Sequence, residues 1–205
     1  MWTWSLNWGE ISPHIVVGTC PMAPADVGRI QAQTGVSAVL SLQHNDCLAY
    51  WGIDYDAMHN QGSRLGLTMR RCPVRDFDIP NQRERLPHAV AALSRLRSEG
   101  HRIYVHCTAG LGRAPLTVLA YLTWVEGQPP ECAIRTIHNA RPGAVPAWEA
   151  YHGCRADLAA RYRSMIERRA YELHEKGGPR TAFDNWVDAE TGVIRSALME
   201  LSLLG

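Results

Sequence analysis

The run Val105-His106-Cys107-Thr108-Ala109-Gly110-Leu111-Gly112-Arg113-Ala114 gathers the reactive residue types of this chain into one short stretch. RIYVH (102–106) reads as a strand ending at His106, and a helix starts at Arg113, so Cys107 opens a strand–loop–helix turn. Closed around an anion, such a loop points successive backbone N–H groups inward and adds the positive end of the helix. Gly110 and Gly112 supply the φ values and close backbone approach that a cradle requires. Arg113 offers a planar fork for two phosphate oxygens, so Thr108, Ala109, Gly110, Leu111, Gly112 and Arg113 form the candidate phosphate cradle. Oriented amides, helix end and guanidinium favour a thiolate at Cys107, and a thiolate attacks phosphorus in line. His106 is expected to order the loop by hydrogen bonding rather than to act as a base. Alone, Cys107 reads equally as a buried apolar thiol, and His106 with Cys107 as a metal-ligand pair. No second His/Cys cluster lies at ligand spacing, so neither a metal nor another cofactor is expected.

A leaving alkoxide needs a proton, and a carboxylic acid must reach the far side of the phosphate to supply it. The segment Arg75-Asp76-Phe77-Asp78-Ile79-Pro80-Asn81 follows a strand and precedes a helix, a suitable place for a mobile loop. Asp76 and Asp78 are both candidates, and spacing does not separate them. The alternative is that both cap a turn or the next helix.

These residues need a scaffold. HIVVGT (14–19), VSAVLSLQ (36–43), LTMRRCPV (67–74) and 102–106 read as strands, and Pro24 and Asp26 open a helix through Ile30. Helical spacing runs from Arg83 to Glu99, where Gly100 stops it. The helix Ala114–Glu126 is apolar on nearly every face and is expected to be central and buried, with Pro115 in its first turn. Helices follow at Pro130–Asn139, from Pro146 to about Lys176, and at 181–204 after the GGPR break. Strands alternating with helices and then helices alone predict an α/β fold, a sheet flanked by helices with a helical C-terminal extension. The division expected is a catalytic domain over 1–160 and the extension over 161–205.

Composition narrows the partners. Twenty-one Lys and Arg against twenty Asp and Glu leave a net charge of +1. Such balance excludes an overall electrostatic attraction to nucleic acid or an anionic membrane. No apolar run is long enough to span a bilayer. MWTWSLNWGE lacks the basic-then-apolar order of a secretory signal and the Arg/Ser-rich look of a transit peptide. Six scattered cysteines without a CxxC suggest a reducing compartment, most of them serving as small core residues.

HCTAGLGRAP resembles the Cys-x5-Arg signature of protein tyrosine phosphatases, within the dual-specificity branch. Its Ala114-Pro115 ending is similar to the plant starch-excess and laforin-type glucan phosphatases. Ile15-Val16-Val17-Gly18-Thr19-Cys20 and Val39-Leu40-Ser41-Leu42-Gln43 resemble that group's first two strands. Leu48-Ala49-Tyr50-Trp51-Gly52-Ile53-Asp54 resembles its aromatic recognition segment, and Arg75-Asp76-Phe77-Asp78, with Arg83, Arg85, Leu86 and Pro87, its acid loop. The resemblance covers about residues 10 to 160. It implies the dual-specificity phosphatase fold with a mixed sheet, Cys107 as nucleophile, Arg113 as clamp and Asp76 as acid. Tyr50, Trp51 and Phe77 fall on positions that line the family's glucan channel, and Val145 stands where a further channel aromatic is expected. Pro80 replaces an aromatic often found in the acid loop. Core packing is the alternative for Tyr50 and Trp51. The implied substrate is phosphorylated α-glucan, starch or a glycogen-like polymer, hydrolysed through a cysteinyl-phosphate. Phosphoproteins or phosphoinositides are the alternative substrates, and a non-catalytic glucan- or phosphate-binding module is the second alternative. The resemblance places a plant or algal member in the chloroplast stroma and any other in the cytoplasm.

Overall fold

Four short runs of β-branched and apolar residues carry the sheet. In the computed structural model, which describes residues 3–177 and 179–204, these are β2 (Ile15–Gly18), β3 (Ala38–Gln43), β4 (Thr68–Val74) and β5 (Ile103–His106). A further strand that the sequence pattern does not announce, β1 (Trp8–Ser12), precedes them. Met1 and Trp2 of the N-terminal segment, and Gly178 of the GGPR break, lie outside the described residues.

The spatial order is β1-β2-β5-β3-β4, with β1 antiparallel to β2 and the other pairings parallel, so the sheet is mixed. β5 is the middle strand: Val105 stands opposite Val17 on one side and Leu40 on the other. Successive side chains on a strand face opposite ways, and here both faces are covered. Val16, Val39 and Tyr104 pack against α1 (Pro24–Thr34) and α3 (Tyr55–Arg64). Ile15, Val17, Leu40, Ile103 and Val105 belong to the larger core on the other face.

That larger core is built around α5 (Arg113–Ala120), in which every residue is buried. Leu116 and Leu119 each contribute about 2 kcal/mol relative to an exposed side chain. The expected helix to Glu126 is continuous, but its last turn, Tyr121–Val125, is π-helical. α4 (Ile79–Ser98), α6 (Pro130–Ala140) and α7 (Trp148–Arg161) complete the layer. α4 begins at Ile79 rather than Arg83, because the Asp78 carboxylate accepts from Asn81 N at 2.9 Å and caps it. Arg83, Arg85, Leu86 and Pro87 therefore lie on this helix and not in the acid loop, and Arg83 pairs with Asp157 of α7.

The long helix expected from Pro146 to Lys176 is broken at Tyr162 (φ −105°, ψ 18°), giving α7 and α8 (Arg163–Glu175). α9 (Ala182–Leu204) packs on α8 and α4, and its Ile194 and Leu198 enter the main core. No described helix is long and apolar enough to cross a membrane. All six cysteines are free; Cys20, Cys72, Cys107 and Cys154 are buried, whereas Cys132 is exposed.

Candidate active site

Three parallel strands, β2, β5 and β3, end together, and the loop from Cys107 to Arg113 emerges from the middle one. Crevices beyond the carboxyl ends of such strands are where α/β sheets bind ligands. The loop carbonyls all turn away from the crevice. Cys107 O accepts from His106 Nδ1 at 2.9 Å, and Thr108 O from Cys20 N at 2.9 Å. Ala109 O and Gly110 O accept from Arg141 at 2.8 and 2.9 Å, and Leu111 O from Val145 N at 2.6 Å. A planar trans peptide sets its N–H opposite its C=O, so pinning these carbonyls outward aims the following N–H groups inward. Among the described residues none of the N–H groups from Thr108 to Gly112 donates to a protein acceptor. The result is a ring of free donors around Cys107.

The two glycines differ. Gly110 has φ +68°, and a Cβ there would stand 2.3 Å from Gly18 O. Gly112 has φ −109°, and its nearest neighbour to a Cβ is Val145 O at 4.0 Å, so only Gly110 needs to be glycine for its backbone.

Arg113 opens α5 and is 1% exposed. Its Nη1 donates to Val74 O at 2.9 Å and approaches Cys47 Sγ at 3.3 Å. Nη2 donates to Asp76 Oδ2 at 2.7 Å and Thr108 Oγ1 at 3.1 Å. Nε is buried and finds no acceptor among the described residues. Burial alone disfavours the charged guanidinium, but the Cys107 and Asp76 side chains outweigh it and raise its pKa. His106 is buried, and desolvation lowers its pKa to about 4. The imidazole is therefore neutral at pH 7. Because a carbonyl only accepts, the Nδ1 facing Cys107 O carries the proton. Burial, with Cys107 adding to it, pushes the Cys20 thiol up to about 12.

The fold separates the two aspartates. Asp78 caps α4, whereas Asp76 turns to Arg113. Between them Phe77 has φ 55°, the one positive φ at a non-glycine among the described residues, at a cost of about 1 kcal/mol. Its ring is 93% exposed.

Cys107, Asp76 and Phe77 share one open cavity of about 970 Å³ with Tyr50, Trp51 and Val145. Tyr50, on α2 (Asn45–Trp51), is 81% exposed and Val145 75%. Trp51 is half-buried, meets Tyr50 edge-on at 5.2 Å and packs against the α1/α3 core while also lining the cavity. Three further residues at this site carry no signal in the sequence. Cys47 reaches Arg113 from a helix with no buried residue, His44 caps that helix and lines the cavity, and Arg141 binds backbone carbonyls. Among the described residues no group of three or more His, Cys, Asp or Glu could hold a metal ion.

The family model for the dual specificity phosphatase catalytic domain matches residues 25–152. The chain belongs to the dual-specificity phosphatase family. It is 34% identical over 163 residues to phosphoglucan phosphatase DSP4, amyloplastic, of Castanea sativa, covering 78% of this chain and 43% of that protein. Phosphoglucan phosphatase LSF1, chloroplastic, of Arabidopsis thaliana is 32% identical over 120 residues, covering 58% of this chain and 20% of that one. The chain thus spans less than half the length of either relative. The crystal structure of PTPMT1 shares the dual-specificity phosphatase fold at a TM-score of 0.58 and 20% identity, covering 72% of this chain and 90% of that chain.

Proposed function

We propose that this dual-specificity phosphatase removes phosphate from phosphorylated α-glucan, with Cys107 as nucleophile, Arg113 as clamp and Asp76 as acid. The observation that carries this reading is the continuity of one cavity. Its floor holds Cys107 beneath free amide donors, and its rim carries the exposed rings of Tyr50 and Phe77. Flat, weakly apolar sugar faces stack on such rings, and the hydroxyls between them stay wet. The names of the two plant relatives point the same way.

In the proposed reaction a phosphate monoester settles on the loop amides and on Arg113 Nε. Its oxygens take over Arg113 Nη2 from the Asp76 carboxylate, which, freed of the guanidinium, takes a proton from solvent and then faces the leaving oxygen. The Cys107 thiolate attacks phosphorus, the P–O bond to the sugar breaks, and Asp76 gives its proton to the departing alkoxide. Water then attacks the cysteinyl-phosphate, Asp76 takes the proton, and inorganic phosphate leaves with the thiolate restored. Nucleophile and charge both come from side chains and amides, so no metal or cofactor is required. Residues 1–160 are the catalytic domain in this reading and 161–205 its helical extension. The plastid locations in the relatives' names support a plastid for a plant or algal source.

The test is a split between substrates. Tyr50→Ala and Phe77→Ala are expected to lower phosphoglucan turnover about tenfold or more and to leave p-nitrophenyl phosphate within about threefold. Equal losses on both substrates would show that the rings only support the loop.

A further inference from the structure

Arg141 is a buried cation with no carboxylate partner among the described residues. The ionisable groups that act on it are Tyr104 and Cys107, and burial lowers its pKa. An isolated buried charge is costly unless something nearby rewards it. Its position is fixed by the end of α6, whose Ala133 and Ile137 are anchored in the main core. There Arg141-Pro142-Gly143-Ala144 forms a β-turn closed by Ala144 N to Arg141 O at 2.9 Å, with proline at its second position. His138 Nε2 donates to Ala144 O at 3.0 Å and braces the turn.

From this one turn three consecutive loop carbonyls are held. Arg141 Nη2 donates to Ala109 O, Arg141 Nε to Gly110 O, and Val145 N to Leu111 O. The N–H groups that share those peptide planes belong to Gly110, Leu111 and Gly112, half of the cradle. Polarising a carbonyl also strengthens its peptide N–H as a donor.

We propose that Arg141 is a positioning residue of the phosphate site, holding the Ala109 and Gly110 carbonyls outward so that the Gly110 and Leu111 amides meet the phosphate, and adding a second buried positive charge behind the loop. This rests on the reading of the Cys107 loop as that site. Arg113 grips the anion from the front and is shared with Asp76, whereas Arg141 acts from behind, through the backbone. Donors fixed before the reaction favour the developing charge of the transition state over the ground state. Loss of Arg141 therefore falls on kcat and on affinity for phosphate-like anions.

The experiment measures tungstate binding calorimetrically in Cys107→Ser and steady-state hydrolysis of p-nitrophenyl phosphate with Cys107 intact. Arg141→Met, which keeps the length without charge or donors, should weaken tungstate binding at least about tenfold and lower kcat about a hundredfold, with a smaller change in KM. Arg141→Lys, which keeps the charge but reaches one carbonyl, should fall between. A purely structural role predicts a lower melting temperature with tungstate affinity and kcat within threefold of the parent at 20 °C or so, and that result would overturn the proposal. If circular dichroism shows Arg141→Met unfolded, Arg141→Lys decides by the same criteria. Absence of tungstate binding in the Cys107→Ser parent would overturn the phosphate-site reading itself, and the Arg141 proposal with it.

Discussion

Gly110→Ala is the most informative single change in the loop, because its cost can be worked from geometry. At φ +68° an alanine pays about 1–2 kcal/mol for the left-handed conformation. Its Cβ would also lie 2.3 Å from Gly18 O, 2.5 Å from Gly18 C and 3.0 Å from Arg141 Nη2. Gly18 is at the end of β2, paired with β5, so its carbonyl cannot step aside without moving the sheet. The loop must yield by about 1 Å, an overpacking cost of about 1–3 kcal/mol. Together the variant should lose about 2–5 kcal/mol, a large fraction of an ordinary domain's stability. A displacement of that size in the proposed catalytic cradle should lower kcat about a hundredfold. Gly112→Ala is the control: its φ is −109° and its Cβ meets nothing nearer than 4.0 Å, so stability should stay within about 1 kcal/mol. Urea unfolding followed by tryptophan fluorescence, with p-nitrophenyl phosphate turnover on the same samples, measures both effects. A Gly110→Ala protein as stable as wild type, or a Gly112→Ala protein equally damaged, would refute the reasoning.

The aspartates offer a second contrast. Asp76→Asn should reduce turnover of alkyl phosphates far more than that of p-nitrophenyl phosphate, whose leaving group needs little protonation. Asp78→Asn should keep most activity and lose at most about 1 kcal/mol of stability, since it changes a helix cap. Comparable activity losses would show that both carboxylates serve the chemistry. His106 makes stability depend on pH. Its pKa falls from 6.5 to about 4 on folding, so between those values the unfolded chain holds more protons and acid favours unfolding. Stability should be full above pH 6.5 and decline by up to about 3 kcal/mol as pH drops towards 4. Urea midpoints from pH 7 to 4.5 should flatten in His106→Gln over this window; an unchanged slope would assign the dependence to other groups.

The parts of this architecture that show in the sequence are those whose local pattern and tertiary role agree. Val39, Leu40 and Leu42 in one strand, and α5, apolar apart from Arg113 and Thr117, are buried, and a dense apolar run announces that. Cys107, Gly110 and Arg113 show because one loop must carry all of them. β1 is faint because only Gly9 and Ile11 are buried in it, and α2 because nothing in it is buried. The break at Tyr162 has no Gly or Pro to announce it. Asp76 and Asp78 look alike as letters, and what separates them is a cap on one side and Arg113 on the other. Arg141 is silent because its partners are backbone carbonyls, which any sequence possesses. Gly112 looked equivalent to Gly110, yet only the second stands against a neighbouring strand.

The central claim, a cysteine-based phosphatase whose aromatic rim selects glucan, is tested most directly by phosphate release from solubilised phosphoglucan, a phosphotyrosine peptide and a phosphoinositide at matched phosphate concentration. Wild type should release phosphate fastest from the glucan, and Cys107→Ser should release none from any of the three. Brisk turnover of the peptide or the phosphoinositide with none of the glucan would contradict the account.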